Sequence, residues 1–193
     1  MSAASARLSG SAVRRGLRLA AVEFAGHGWP VVPVSYFDGH SYRCVQADCY
    51  QETLHPVWRL WHDRASADPK MVAAWFRLLT LSVGVRTGVV FDVVSLPETT
   101  GTKVQAALAE RQTLTPVAVW RERGHRLFWV ERDLPWRPVL GRLDARVSAR
   151  DGWVPVPPTP TRHGPVQWAV APARTDWGFV RHQDFLAAAA TLL

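Results

Sequence analysis

The run from Ser82 to Val94 limits the folds open to this chain more than any other feature. Its residues include six valines, a phenylalanine and a single acid, Asp92. β-Branched residues favour strands. Arg86-Thr87-Gly88 divides the run, so it reads as two strands, Ser82–Val85 and Val89–Val94.

Helix and strand signals alternate around it. From Arg14 to His27, Leu17, Ala20, Ala21 and Phe24 share one face at helical spacing, and Gly26 and Gly28 end the helix. Trp29 to Val34 is a short extended run whose prolines suit a strand edge or terminus. Asp68-Pro69 is an N-cap followed by proline at the first helical position, and Val72, Trp75 (or Phe76) and Leu79 continue that helix. A helix is expected from Thr102 to Arg111, on Val104, Ala107 and Leu108. Pro116–Trp120 and Arg126–Val130 read as a β-hairpin around Glu122, Arg123 and Gly124. Trp153–Val156 and Val166–Val170 add two short strands, and His182–Leu193 a small amphipathic helix. There is no internal repeat. Helices mixed with antiparallel hairpins predict a single α+β domain over residues 13–193. Met1–Ala12 reads as a flexible tail, and residues 35–66 as a long irregular loop, which inside a compact domain implies a function or a staple.

The formal charge is +7 and the sequence pI about 10.4, which suits an anionic partner, nucleic acid or nucleotide. Lys70 and Lys103 are the only lysines, so the charge is carried by arginine and is scattered rather than clustered. No run reaches the ~18 apolar residues of a membrane span, and the N-terminus lacks a signal-peptide pattern, so a cytoplasmic protein is expected. In a reducing compartment Cys44 and Cys49 do not favour a disulfide, which leaves a metal clip or plain packing. Of the ten tryptophans, Trp29, Trp75, Trp129 and Trp153 fall in predicted elements and read as core. Trp58, Trp61, Trp136 and Trp177 are the better surface candidates for base stacking.

Four collinear segments resemble the primase–polymerase domain of the archaeo-eukaryotic primase superfamily. The first is the opening helix followed by Gly28-Trp29-Pro30-Val31-Val32-Pro33. The second is Cys44, Cys49 and His55-Pro56, followed by Asp68-Pro69 and Trp75. The third is Val83-Gly84-Val85-Arg86-Thr87-Gly88 leading into Val89-Val90-Phe91-Asp92. The fourth is Leu143-Asp144-Ala145-Arg146 with Asp151-Gly152-Trp153-Val154-Pro155-Val156-Pro157-Pro158. Each motif is weak alone, and their order carries the case. The resemblance implies a central, mainly antiparallel sheet with an RRM-like catalytic half, a smaller N-terminal αβ module and flanking helices. It also implies template-dependent joining of nucleotides with Mg²⁺ or Mn²⁺.

That chemistry uses two divalent ions held by carboxylates. Members of the superfamily supply two acids at i and i+2 on one strand, which share a face, and a third acid from a neighbouring strand. Here the first acid is Asp92 and the third Asp144, but the i+2 position is Val94. Glu98, in the following loop, lacks the geometry a strand would fix. The histidine that contacts the triphosphate in relatives is matched by Arg126, with His125 one residue earlier and therefore on the opposite face. Arg126 can still grip phosphate, and Arg86 and Arg146 match positions near the site. Alternatively, Asp92 and Asp144 pair with Arg86 or Arg146 and serve structure only. Cys44, Cys49 and His55 match part of a zinc-type loop, with Tyr42 near the place of its missing cysteine. A structural zinc wants four ligands, and His40 or His62 is the candidate for the fourth.

Three readings follow from the sequence. One is a diverged, catalytically impaired homologue that retains nucleotide or nucleic-acid binding. The second is an active polymerase or primase with an atypical metal site. The third is a protein-interaction module on the same scaffold. Retained binding requires Arg126, Arg86 and Arg146 to line one cleft with Asp92 and Asp144.

Overall fold

The computed structural model describes residues 10–193. Helix α1 (Gly10–Gly26) buries Leu17, Ala21, Phe24 and Ala25. The expected tail is corrected in part: residues 10–12 already belong to α1, and the rest of that segment lies outside the described residues. Strand β1 (Val31–Val34) leads into a small hairpin of β2 (Tyr36–Phe37) and β3 (Tyr42–Arg43). The irregular loop then runs through a single turn, α2 (Trp61–Arg64), to α3 (Pro69–Leu78). The Asp68 carboxylate caps α3 by accepting the Lys70 N–H at 2.8 Å, and Pro69 fills the first helical position.

The remaining elements are β4 (Ser82–Arg86), β5 (Phe91–Pro97), α4 (Glu98–Glu110), β6 (Val117–Trp120), β7 (His125–Glu131), α5 (Pro138–Arg142), β8 (Arg146–Ser148), β9 (Trp153–Pro155), β10 (Gln167–Val170) and α6 (His182–Ala190). Strand β5 starts later and runs further than expected, to Pro97. Val89 and Val90 sit instead in the turn closed by the Gly88 N–H on the Phe91 carbonyl (2.8 Å). Gly88 has φ 76°, and a Cβ there would stand 2.4 Å from backbone atoms of Arg150, so the turn requires glycine.

Two antiparallel sheets carry the fold. The smaller has the order β1-β4-β9 and the larger β10-β6-β7-β5-β8. In the smaller sheet β1 is an edge, where Pro33 can be tolerated. Beyond β9 the chain leaves the sheet, yet the Thr159 hydroxyl accepts the Val83 N–H (2.9 Å) and donates to the Val83 carbonyl (2.7 Å). One side chain thus replaces the missing strand neighbour.

Both faces of the larger sheet are covered. One face, with Val94, Leu96, Phe128 and Val130, packs on Val104 and Leu108 of α4, Leu140 of α5 and Phe185 of α6. The other, with Phe91, Val93, Leu127 and Trp129, packs on Leu17 and Phe24 of α1, on Trp29 and on Val85 of β4. Trp29 and Trp129 stack at 5.6 Å between ring centroids, so this second core joins the two sheets through aromatic rings.

Candidate active-site face and metal-binding loop

Strand alternation decides what each side chain of β5 can reach. Asp92 pairs with Val130, Val94 with Phe128 and Leu96 with Arg126, so these rows share the face that looks toward α4, α5 and α6. Asp92 is 1% exposed. Its Oδ2 accepts the Leu134 N–H at 2.9 Å, while Oδ1 is buried without a partner. Burial raises its pKa above the ordinary carboxylate value; the Leu134 and Asp133 N–H groups oppose this, the Asp133 carboxylate adds to it and His182 reduces it. Val94 lies fully buried on the same face. The i, i+2 pair therefore points into a helix-packed core.

The set expected to line one cleft is divided, and the expectation is corrected accordingly. Arg126 shares the face of Asp92 but lies opposite Leu96, four residues along β5 and so about 13 Å away. Glu98 Oε1 accepts from its Nη2 (2.9 Å) and Nε (3.1 Å), and Gln105 Oε1 accepts from Nη1 (2.5 Å). The guanidinium expected to grip phosphate clamps α4 to β7, and Glu98, expected in a loop, is its counter-ion at the start of α4. Asp144 is exposed at φ 52° just after α5, outside the strands. Neither acid pairs with an arginine among the described residues.

His125 and Arg146 occupy the opposite face. Arg146 pairs with Ser95, and His125 with Pro97 and Trp120. This places Arg146, Ser95, His125 and Trp120 on the side that faces the smaller sheet. His125 Nδ1 donates to the Arg123 carbonyl at 2.5 Å, which turns Nε2 away from that carbonyl. That Nε2 and the Trp120 Nε1 are both buried without a partner. Arg86 donates to the His62 carbonyl (2.7 Å) and pairs with Asp151 (3.2 Å). Thr87 bonds to Ala149 and Gly152, which ties the end of β4 to the turn between β8 and β9. Sequence reading missed Ser95 and Trp120, which reach this face through the pairing of their strands with β8 and β7 rather than through any local pattern.

The irregular loop builds a second arrangement. A ligand atom from each of Cys44, Cys49 and His55 lies within 4.8 Å of the others, and the Cys49 Sγ is 3.2 Å from His55 Nε2. The Thr53 carbonyl accepts a hydrogen bond from His55 Nδ1 at 2.6 Å, which leaves Nε2 turned to the cysteines as a metal ligand requires. Ser35 Oγ accepts the His55 N–H and holds the residue in place. Burial raises the Cys44 thiol pKa, the Gln46 N–H lowers it, and Cys49 raises it further. The expected fourth ligand is corrected: His40 sits in the Asp38 turn and His62 packs on Trp61, and neither joins the group among the described residues. Tyr42, near the place of the missing cysteine, donates instead to Glu122 Oε2 at 2.6 Å. The donor set of two thiols and an oriented imidazole fits a soft or borderline metal such as zinc.

An RRM-like antiparallel sheet backed by helices, set against a smaller αβ unit with a cysteine loop, is an α+β architecture of primase–polymerase type. The chain belongs to the bifunctional DNA primase/polymerase N-terminal family, whose model matches residues 21–178. No curated protein and no solved structure matches it. Among the described residues no helix is long and apolar enough to cross a membrane.

Proposed function

We propose that the chain is a primase–polymerase-family domain that does not transfer nucleotides and that binds nucleotide or nucleic acid outside the expected Asp92–Asp144 cleft, which the fold does not form, on the face carrying Arg146 and His125. The observation that carries this reading is the orientation of β5: Asp92 and Val94 share the helix-packed face, and Asp92 is already committed to the Leu134 N–H. Two-ion transfer needs carboxylates gathered around both ions, and the residues of this face do not fit an Mg²⁺ or Mn²⁺ pair. On the face toward the smaller sheet, Val93 and Ser95 stand where alternation would place an acid pair. What that face offers is a cation, Arg146, together with hydrogen-bonding groups on Ser95, His125 and Trp120. Such groups suit phosphate and a base without supplying the carboxylates that an Mg²⁺ or Mn²⁺ pair needs. The cysteine loop, with Cys44, Cys49 and His55 holding zinc, keeps a structural role beside it.

Primer extension on a primed DNA template with Mg²⁺ or Mn²⁺ tests the first half of this reading. The natural protein should extend nothing. Extension that Asp92→Ala abolishes would establish an active enzyme with an atypical metal site instead. Binding of single-stranded DNA tests the second half. Arg146→Ala should weaken it several-fold and reduce its salt dependence, whereas Arg126→Ala should leave the salt dependence unchanged. Equal effects of the two would remove the assignment to the β8 face.

A further inference from the structure

A cavity of about 280 Å³ opens between α1, the Pro157–Pro158 segment and residues 171–177, at the β10 edge of the larger sheet, and neither His125, Arg146 nor the cysteine loop lines it. Phe24, Trp168 and Trp177 form its aromatic walls, Pro157 and Pro172 its apolar shelf, and Glu23 is the one charged residue in its lining. The Phe24 ring crosses Trp168 at 69° (6.2 Å) and Trp177 at 70° (6.1 Å). Edge-to-face contacts of this kind hold the three rings in fixed positions around the cavity, and the face of an aromatic ring carries partial negative charge.

Two further observations point to a ligand. Glu23 is the only acid of α1, is exposed, and makes no ion pair among the described residues, although the chain carries a net charge of +7. Asp176 and Trp177 hold consecutive left-handed backbone conformations, φ 48° and 60°. A bulky aromatic residue rarely adopts that conformation, and where it persists the surroundings hold it. Here the Trp177 N–H bonds to Pro172 and the Thr175 hydroxyl to Gly178. His27 stacks on Trp177 at 3.6 Å without lining the cavity.

We propose that this cavity binds an arginine side chain of a partner polypeptide. The guanidinium lies against the Trp168 and Trp177 rings and pairs with Glu23, while its methylene stem runs along the prolines. An anion would find no donor side chain but the indole N–H groups and would face a carboxylate. Arginine is favoured over lysine because its flat, weakly hydrated cation stacks on rings. The inference goes beyond the proposed nucleic-acid role and does not depend on it.

The test is a titration of the full chain, followed by the indole N–H signals of Trp168 and Trp177, with the peptide amide Ac-Pro-Arg-Pro-NH2. The counterpart peptide carries neutral citrulline. The arginine peptide should shift those two signals, with at least fivefold weaker binding for citrulline and threefold weaker binding for Glu23→Gln. Position 23 is exposed, so that variant keeps the fold, and Arg146→Ala should bind the peptide unchanged. Equal binding of both peptides, or an unchanged affinity in Glu23→Gln, would overturn the proposal. So would a single-stranded oligonucleotide that moves the same two signals while the peptide does not.

Discussion

Gly101 on α4 faces Arg126 on β7 so closely that a methyl group at position 101 would lie 2.8 Å from the Arg126 Cβ. The contact is with the root of the side chain, which cannot swing away. Glycine at 101 therefore allows α4 to settle on the sheet while Arg126 bonds to Glu98 and Gln105. Gly101→Ala would gain up to ~1 kcal/mol in helix propensity and lose about 1–3 kcal/mol to overpacking. The expected net is a fall in thermal midpoint of about 2–6 °C. A midpoint that rises would show that α4 shifts freely over Arg126.

Val94→Asp restores the sequence pattern of the paired acids but should not restore catalysis. The new carboxylate would enter the core between β5 and α4, already beside the buried Asp92. An unpaired buried charge is costly, about 3–5 kcal/mol when nothing compensates it. The variant should be largely unfolded at 37 °C by circular dichroism. A folded Val94→Asp protein that extends primers would place the metal site on the helix face after all.

Asp92 also makes stability depend on pH. Its folded pKa is raised chiefly by burial, so the folded state holds the proton more tightly than the unfolded chain. Stability from this group is full below the ordinary carboxylate range and is lost as pH rises through the raised value. Asp92→Asn keeps an acceptor for the Leu134 N–H and should flatten that dependence in urea titrations from about pH 4 to neutrality. Asp92→Ala leaves the N–H bare and should cost about 1–3 kcal/mol. An unchanged pH slope in the asparagine variant would sink the account.

The cysteine loop should bind about one zinc per chain by elemental analysis, matching one Cys44–Cys49–His55 group. Cys49→Ser and His55→Ala should lose it, and His40→Ala and His62→Ala should retain it. Because the thiols must lose their protons, acidification should release the metal. Retention by His55→Ala together with loss in His62→Ala would exchange the ligand roles.

Much of the architecture was legible because it rests on local signals. The α1 stripe, the Asp68 cap and the hairpin around Gly124 each follow from a few neighbouring residues. The side of the sheet on which a residue lies was harder to read. In β5 both faces are buried and valine occurs on each, so hydrophobicity gives no parity, and a one-residue error sends Asp92 to the wrong face. Strand β8 was missed because Arg146–Ser148 is only three residues long and lacks an apolar alternation. The role of Arg126 depends on Glu98 and Gln105, which reach it only after α4 folds back.

The smaller sheet has a consequence for how the chain is made. Its middle strand, β4, has one partner at residues 31–34 and the other at 153–155, with the Thr159 hydroxyl completing the row. The entire larger sheet except β10 is synthesised between those two partners. As the chain leaves the ribosome, the N-terminal unit waits with a bare strand edge until residue 159 has emerged. The two units cannot be assembled one after the other, and a fragment that stops before β9 exposes an unpaired edge open to misassociation.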